Sequence, residues 1–416
     1  MTESPYPLIS IEEAWRRIAA VVRPLRPALQ PIGTVLGRIL AEDVIADESI
    51  PALPSSAMDG YAVIAGDRAP RLRVIEEQAA GREKGLHVVA GTAVRIMTGA
   101  PLPQGADAVV LVEDAIEQDG LLRVLTAISA GEYVRPVGQD LAAGDLVLSK
   151  GSLLGPPEIG LLAAVGRAEV LVYPRPKVAV MATGDELIPP HCKPKPGELR
   201  DSNSYALCAA IEAAGCEPLH LGIIPDDEKA LRTAILDGVA HADMLLTSGG
   251  VSMGRLDFVK PLLAELGKVH FGRVAIKPGK PLTFATLQDL PVFGLPGFPV
   301  SSLLSFENFV RPALRLIGGH RALWRPRVHA RLRHYLRHST GRTEFQRAVV
   351  TEEDGLYWAE STGLQVSGRL KSLVGANALL QLPADVDDFE RGDEVVAILI
   401  DRPEIEALAP GSSDPR

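Results

Sequence analysis

The sequence predicts a multidomain chain of α/β-plus-β class, and three observations carry that reading. Between Lys177 and Ile317, short apolar runs alternate with helical patterns, the rhythm of a three-layer α/β unit around a parallel sheet. From Leu29 to about Lys150 the pattern changes to short apolar alternations broken by Gly, Pro and Asp, a β-rich region with little helix. Beyond Gly318-Gly319 strands return, of a kind that closes into a small β-barrel or sandwich.

The elements follow in order. Ser10 with Glu13 makes a capping box, and Ile11, Ala14, Trp15, Ile18, Ala19 and Val22 line one helical face. Pro24 and Pro27 stop that helix. Strands are expected at Tyr61 to Ile64, Leu72 to Ile75, Ala93 to Met97, Ala108 to Val112 and Leu121 to Leu125. A short helix at Pro156 to Val165 and a strand at Ala168 to Val172 lead to Pro174-Arg-Pro176, a stiff linker and domain boundary. The strand Lys177 to Met181 ends in Thr183-Gly-Asp-Glu186, and the helix Ser204 to Ala214 is closed by Gly215. Glu217 to Ile223 is the next strand, with Asp226-Asp227 and a helix through Val239 after it. Asp243 to Leu246 delivers the loop Thr247 to Asp257, then come a helix to Leu266 and strands around Val269 to Ile276 and Leu282 to Ala285. Pro291 to Leu295 leads through Pro296-Gly-Phe-Pro299 into a long helix, Val300 to Ile317. The closing strands are Val328 to Leu336, Glu344 to Val350, Leu356 to Ala359, Ala378 to Leu382 and Glu394 to Leu399.

The totals narrow the function. With 416 residues the chain has room for two to four domains with their own cores. A formal charge of −9 argues against nucleic acid as the main partner. Arginines recur from Arg321 to Arg347 with Glu344 the one acid among them, which reads as a solvated basic face on an edge strand. Cys192, Cys208 and Cys216 form no disulfide framework, and no CxxC occurs. The start MTESPYPLISIEE lacks the regions of a signal peptide, and no apolar run of about 18 residues occurs, so no membrane span is expected. A cytoplasmic protein is the expectation.

The chemistry is carried by loops. Gly249, Gly250 and Gly254 in Thr247-Ser-Gly-Gly-Val-Ser-Met-Gly254 let backbone N–H groups approach an anion, and Asp257 adds a carboxylate beside it. Asp59, Asp140, Glu186, Asp226 and Asp257 all sit in Gly- or Pro-flanked loops. If they meet in one cleft, an anionic substrate needs a hard cation between them, and Mg²⁺ is the natural choice. Asp226 has an equal reading as an N-cap, and Asp59-Gly60 is also a common turn pair. Lys277-Pro-Gly-Lys280 would grip an oxyanion with two ammonium groups, or be a solvated Pro-Gly turn. Pro296 to Pro299 ahead of Ser301 resembles an anion site at a helix start, with ordinary capping the alternative. Neither a G-x-G-x-x-G after a strand nor a Walker A motif is present. No HExxH or nucleophilic triad stands out, and His334 and His338 read as surface histidines.

Eight stretches, in order, resemble the molybdopterin molybdenumtransferase family, to which the C-terminal part of gephyrin is related. They are Ser56-Ala-Met-Asp-Gly-Tyr-Ala-Val63, Arg95-Ile-Met-Thr-Gly-Ala-Pro-Leu-Pro103, Arg135-Pro-Val-Gly-Gln-Asp140, Ala182-Thr-Gly-Asp-Glu-Leu187, Asp201-Ser-Asn-Ser204, Ser248 to Gly254, Ile276-Lys-Pro-Gly-Lys-Pro281 and Leu295-Pro-Gly-Phe-Pro-Val-Ser301. The resemblance covers Leu8 to about Leu399. It implies a small mixed domain (1–27 and 148–174), a β-rich domain inserted into it (28–147), an α/β molybdopterin-binding domain (175–320) and a C-terminal β-barrel (321–405), with 406–416 a disordered tail. It further implies a homodimer whose cleft lies between the α/β domain of one subunit and the inserted domain of the other.

The implied reaction joins adenylylated molybdopterin and molybdate, with Mg²⁺ bound, and releases AMP. The implied catalytic set is Asp59, Asp140, Glu186, Asp226 and Asp257, with Asp59, Asp226 and Asp257 as metal ligands. Substrate would be held by Thr98, Thr183, Ser248, Gly249, Gly250, Ser252, Lys277, Lys280, Pro296, Pro299 and Ser301. A molybdopterin adenylyltransferase would be the partner supplying the intermediate. Two positions depart from the family: Phe298 and Ser55 each stand where Asn is usual. The other readings are an adenylyltransferase sharing the α/β domain, disfavoured by the long N-terminal region, and a gephyrin-like binding scaffold, disfavoured by the polar loop residues.

Overall fold

The structure, a computed structural model, describes residues 6–81, 83–250 and 258–401. The expected tail, and Ser252 and Asp257 of the glycine-rich loop, lie outside the described residues. The chain forms two compact units, Met1–Ala28 with Gly37–Ile39 and Tyr173–Arg416, and Leu29–Leu36 with Leu40–Val172.

The first helix of the larger unit, α1 (Ile11–Val21), starts where the cap places it, with Ser10 Oγ accepting from Glu13 N at 3.1 Å. Its Ala14 and Ile18 are fully buried, as the 3.6-residue spacing requires.

The smaller unit is built on a six-stranded sheet. Its strands are β1 (Gly60–Val63), β2 (Leu72–Gln78), β3 (Thr92–Ile96), β4 (Ala108–Leu111), β5 (Ala115–Gln118) and β6 (Leu121–Val124), in the order β4-β1-β3-β2-β6-β5. Tyr61, Ala93 and Val110 pack on one face, and Ala62, Val94 and Val109 on the other. Both faces are therefore covered, and the inner strands read as unbroken apolar runs. Gly60 is needed for close pairing, because a Cβ there would meet the Val110 carbonyl oxygen at 2.0 Å. β5 escaped the sequence pattern because it is mostly exposed. A second helix, α2 (Pro156–Ala164), opens on Pro156 and Pro157 after Gly155.

The larger unit holds a second six-stranded sheet. Its strands are β7 (Lys177–Thr183), β8 (Glu217–Ile224), β9 (Met244–Ser248), β10 (Lys268–Phe271), β11 (Thr283–Leu287) and β12 (Leu290–Leu295), ordered β8-β7-β9-β12-β11-β10. Helices α3 (Asn203–Ala213), α4 (Glu228–His241), α5 (Val259–Leu266), α6 (Pro299–Ser305) and α7 (Arg311–Ile317) cover it. Leu207 and Ile211 of α3 pack with Val178, Val180 and Phe293 on the face that also takes α1, α6 and α7. Leu231 and Ile235 of α4 and Leu262 and Leu263 of α5 pack with Ala179, Met181 and Leu245 on the other. The result is three layers, as expected.

The sheet is not parallel throughout. β8, β7, β9 and β12 are parallel, but β11 runs antiparallel to β12 and β10 antiparallel to β11. The reversal is a two-residue hairpin in which Gln288 and Asp289 adopt φ of 49° and 69°, a geometry that Asn-Gly usually signals. Gln-Asp gives no such signal. The long helix is interrupted too. Residues Phe306–Val310 form a π turn, with Arg311 N bonding to the Phe306 carbonyl, because Pro312 has no N–H to continue the ordinary ladder.

The closing strands β13 (Arg327–Leu332), β14 (Thr343–Glu353), β15 (Leu356–Ser361), β16 (Ala378–Leu382) and β17 (Glu394–Leu399) form a closed barrel. β14 pairs with β15 and β16, β16 with β17, β17 with β13, and β13 with β15. Two expectations for the basic stretch need correction. Arg347 is fully buried, its Nε donating to Ser372 Oγ at 3.1 Å. His338 is buried between Glu344 and the Pro383 carbonyl, whereas His334 is exposed as expected. The first half of β14 is covered on both sides, so charge there marks internal pairing rather than a solvated face.

Asp227, not Asp226, caps α4, accepting from Ala230 N at 2.8 Å. Asp227→Ala should therefore lower unfolding free energy by about 1 kcal/mol in urea denaturation followed by circular dichroism; an unchanged midpoint would contradict the cap.

Candidate active site at the carboxyl edge of the α/β sheet

Chain order reverses beside β7: α3 returns the chain to β8 on one side, and α4, on the opposite sheet face, carries it to β9 on the other. Ligand sites in such sheets form outside the carboxyl ends of the strands at this switch point. Register brings the strand ends level: Thr183 pairs with Ile224, Ala182 with Ser248, and Ser248 with Leu295. The loops that follow therefore leave together.

They enclose a cavity of about 840 Å³, within the range of small-molecule sites. Thr183, Gly184 and Glu186 line it from the β7 loop, Asp226 from the β8 loop, and Ser248, Gly249 and Gly250 from the β9 loop. Pro296, Phe298 and Pro299 contribute from the β12 loop. Six of the expected residues in addition to Glu186 and Asp226 thus line one cavity: Thr183, Ser248, Gly249, Gly250, Pro296 and Pro299; Asp201, Asn203 and Phe298, outside the expected set, join them.

The glycines are required by crowding. Gly249 has φ 97°, and a Cβ on it would meet the Thr183 carbonyl oxygen at 2.6 Å. Gly250 has φ 66°, and its Cβ would meet Val259 Cγ2 at 2.6 Å. Asn203 ties the loops together, its Nδ2 donating to Ser248 Oγ at 2.8 Å and to the Gly297 carbonyl at 2.7 Å. Asp201 Oδ1 accepts from Ser204 N at 3.0 Å. Asp201 Oδ2 and Thr183 Oγ1 are buried and have no hydrogen-bond partner among the described residues. Such groups are costly unless something completes them. Sequence reasoning assigned no role to Asp201 or Asn203, since one looks like a capping residue and the other like an ordinary first helical residue. The available signal was the stretch Asp201-Ser-Asn-Ser204 itself, one of the eight that carry the family resemblance, lying where the chain from β7 enters α3.

Other expected residues lie elsewhere. Ser301 is buried in the first turn of α6 and is not part of the cavity wall. Lys280 is half-buried beside Pro281, which does line the cavity. Lys277 lines a different hollow, where its Nζ donates at 2.9 Å to Glu344, a carboxylate only 3% exposed. Its charge offsets a buried acid that would be costly unpaired. Asp59, Thr98 and Asp140 belong to the smaller unit. There, Thr98 N and Oγ1 donate to Asp59 Oδ1 at 2.7 and 2.9 Å, and Asp140 pairs with Arg135 at 2.5 Å. The Thr98 amide first, then its hydroxyl, hold the Asp59 carboxyl below the usual carboxylate range.

Among the described residues no group of three or more His, Cys, Asp or Glu is placed to hold a metal ion. Mg²⁺ often needs less, one or two carboxylates with substrate phosphates, so the hard oxygen donors Glu186 and Asp226 on one cavity fit it.

Fold and cavity together define an α/β protein with a candidate ligand site at the switch point in the parallel part of a mixed sheet. Three family profiles match in succession: "MoeA N-terminal region (domain I and II)" at residues 9–166, "Probable molybdopterin binding domain" at 179–316 and "MoeA C-terminal region (domain IV)" at 329–400. The molybdopterin molybdenumtransferase of Haemophilus influenzae is 36% identical over 364 residues, 86% of this chain and 90% of that protein. Molybdopterin molybdenumtransferase 2 of Mycobacterium tuberculosis is 38% identical over 400 residues, 93% of this chain and 98% of that protein. The crystal structure of the molybdopterin biosynthesis MoeA protein of Pyrococcus horikoshii superposes with a TM-score of 0.81 at 34% identity, covering 95% of this chain and all of that one. The chain belongs to the molybdopterin molybdenumtransferase family.

The Asp59 contact makes a pH prediction. Because its folded pKa is depressed, the stabilisation is present above the unfolded value and is lost as pH falls through the folded one. Thr98→Ala removes the hydroxyl donor and keeps the amide, so the Asp59 carboxyl in an NMR titration should move part of the way up toward its ordinary value. An unmoved titration would mean that the hydroxyl does not hold this carboxylate.

Proposed function

We propose that this protein inserts molybdenum from molybdate into adenylylated molybdopterin and releases AMP, the last step of molybdenum cofactor synthesis. The observation that carries the reading is the cavity in which Glu186, Asp226, Thr183 and the Ser248 to Gly250 backbone face one space at the strand ends. Identities of 36% and 38% to proteins named molybdopterin molybdenumtransferase support it.

The chemistry balances as follows. The two dithiolene thiols displace one oxide from molybdate, which takes both thiol protons and leaves as water. A water molecule then adds across the phosphoanhydride and AMP departs. The backbone N–H of Gly250 would hold a phosphate oxygen, as glycine-rich loops do, whereas that of Gly249 donates to the Leu295 carbonyl at 3.1 Å. Asn203 fixes the Ser248 hydroxyl for the same task. Asp226 and Glu186 would hold Mg²⁺, and Asp59 and Asp257 join this metal set in the proposal. When bound, the ion supplies screening of the pyrophosphate charge. Asp140 is proposed to act with them in orienting water. Lys280, Thr98 and Ser301 are proposed for molybdate or phosphate, with Ser252 on the phosphate side. Lys277, already committed to Glu344, would position the Lys277 to Lys280 turn.

For organisation, we propose the four domains at 1–27 with 148–174, 28–147, 175–320 and 321–405, in a cytoplasmic homodimer supplied by a molybdopterin adenylyltransferase. No helix among the described residues is long and apolar enough to cross a membrane.

The test mixes the protein with adenylylated molybdopterin, Mg²⁺ and molybdate and follows AMP. Molybdate-dependent AMP release is expected, and its absence rejects the reading. Asp226→Asn and Asp59→Asn should each lower kcat/KM by on the order of 100-fold, the scale of removing one electrostatic group from a closed site. Their thermal midpoints should stay within roughly 2 °C of wild type. Wild-type rates in both would remove the carboxylate assignment.

A further inference from the structure

We propose that Phe298 is a stacking platform for a flat heteroaromatic ring of the pterin nucleotide, so that this cavity reads a π face as well as phosphates. The inference rests on the reading of the cavity given above and deepens it.

Three observations carry it. Phe298 is a large aromatic side chain left 63% exposed, and it borders the cavity. Its backbone is fixed: the residue before a proline is held extended, and Phe298 has φ −72° and ψ 131° ahead of Pro299. Its carbonyl accepts from Ser302 N at 2.9 Å, and Val300 N donates to the Ser367 carbonyl at 3.1 Å. Finally, the ring rests against a glycine, since a Cβ on Gly368 would meet Phe298 Cδ1 at 3.6 Å and Cε1 at 3.8 Å. The ring is therefore backed by Gly368 and open to the cavity, which leaves little ordering for a ligand to impose.

The lining around it has the matching chemistry. Leu199, 61% exposed, and Pro296 extend the apolar part, while Glu186, Asp226 and Ser248 supply the polar part. A phosphate or molybdate alone has no use for an exposed phenyl ring. A ligand with a flat ring at one end and phosphates at the other uses both, because aromatic faces attract one another in offset stacks. Pterin and adenine share this chemistry, and the two probes below separate them.

Equilibrium dialysis measures the Kd of wild type, Phe298→Leu and Phe298→Tyr for molybdopterin and, separately, for AMP, without molybdate. Phe298→Leu should weaken one of the two probes roughly tenfold and Phe298→Tyr should stay within about twofold, as for loss and retention of one base–aromatic stack. The tryptophan of Phe298→Trp should be quenched by that same probe, which identifies the ring that stacks. Unchanged Kd values in Phe298→Leu for both probes overturn the proposal while leaving the cavity reading intact. A changed monomer–dimer equilibrium with unchanged Kd values overturns it as well, and gives the ring to a protein surface. Wild-type protein that binds neither probe removes the cavity reading and the stacking together.

Discussion

Level termination of β7, β9 and β12 is the constraint on which the site depends. Alternation alone does not set it. Val178, Val180, Met244 and Leu246 bury against one helical layer, and Ala179, Met181 and Leu245 against the other. Since both faces are apolar, a slip by one residue would not expose them to water, and polarity does not penalise it. Shape does. A Cβ on Gly238 of α4 would sit 3.0 Å from Leu245 Cδ1 and 3.4 Å from Ala179 Cβ, so that helix lies too close to the sheet for another register.

The loops convert this register into a polar surface at some cost in stability. Two consecutive left-handed glycines, and buried oxygens on Thr183 and Asp201 without partners among the described residues, are not what maximal stability would select. Asn203 offsets part of that cost by crosslinking the β9 and β12 loops through one amide. In the proposed complex the bound ligand would supply partners for the remainder.

Much of this was legible in the sequence because period and punctuation agree there. The five closing strands fall within a few residues of their expected positions, since each is an apolar run bounded by turn residues. Thr183, Glu186, Asp226, Ser248 and Gly250 could be read as one set because each follows an apolar run directly. What escaped lacks a local signature. The Gln288-Asp289 turn reverses the sheet without the residues that usually mark it. The partner of Lys277 lies 67 residues away, so its engagement with Glu344 is invisible to spacing. Arg347 and His338 looked like surface charge, because nothing local reports that residues 361–373 cover one side of β14.

The central claim is that four strand-end loops form one ligand surface. Amide hydrogen exchange with and without adenylylated molybdopterin tests it most directly. Slowed exchange is predicted at Thr183 to Leu187, Asp226 to Asp227, Ser248 to Gly250 and Pro296 to Val300 together, with Leu199 to Ser204 beside them. Unchanged exchange in these segments, or protection confined to the barrel strands between Arg327 and Leu399, would contradict it.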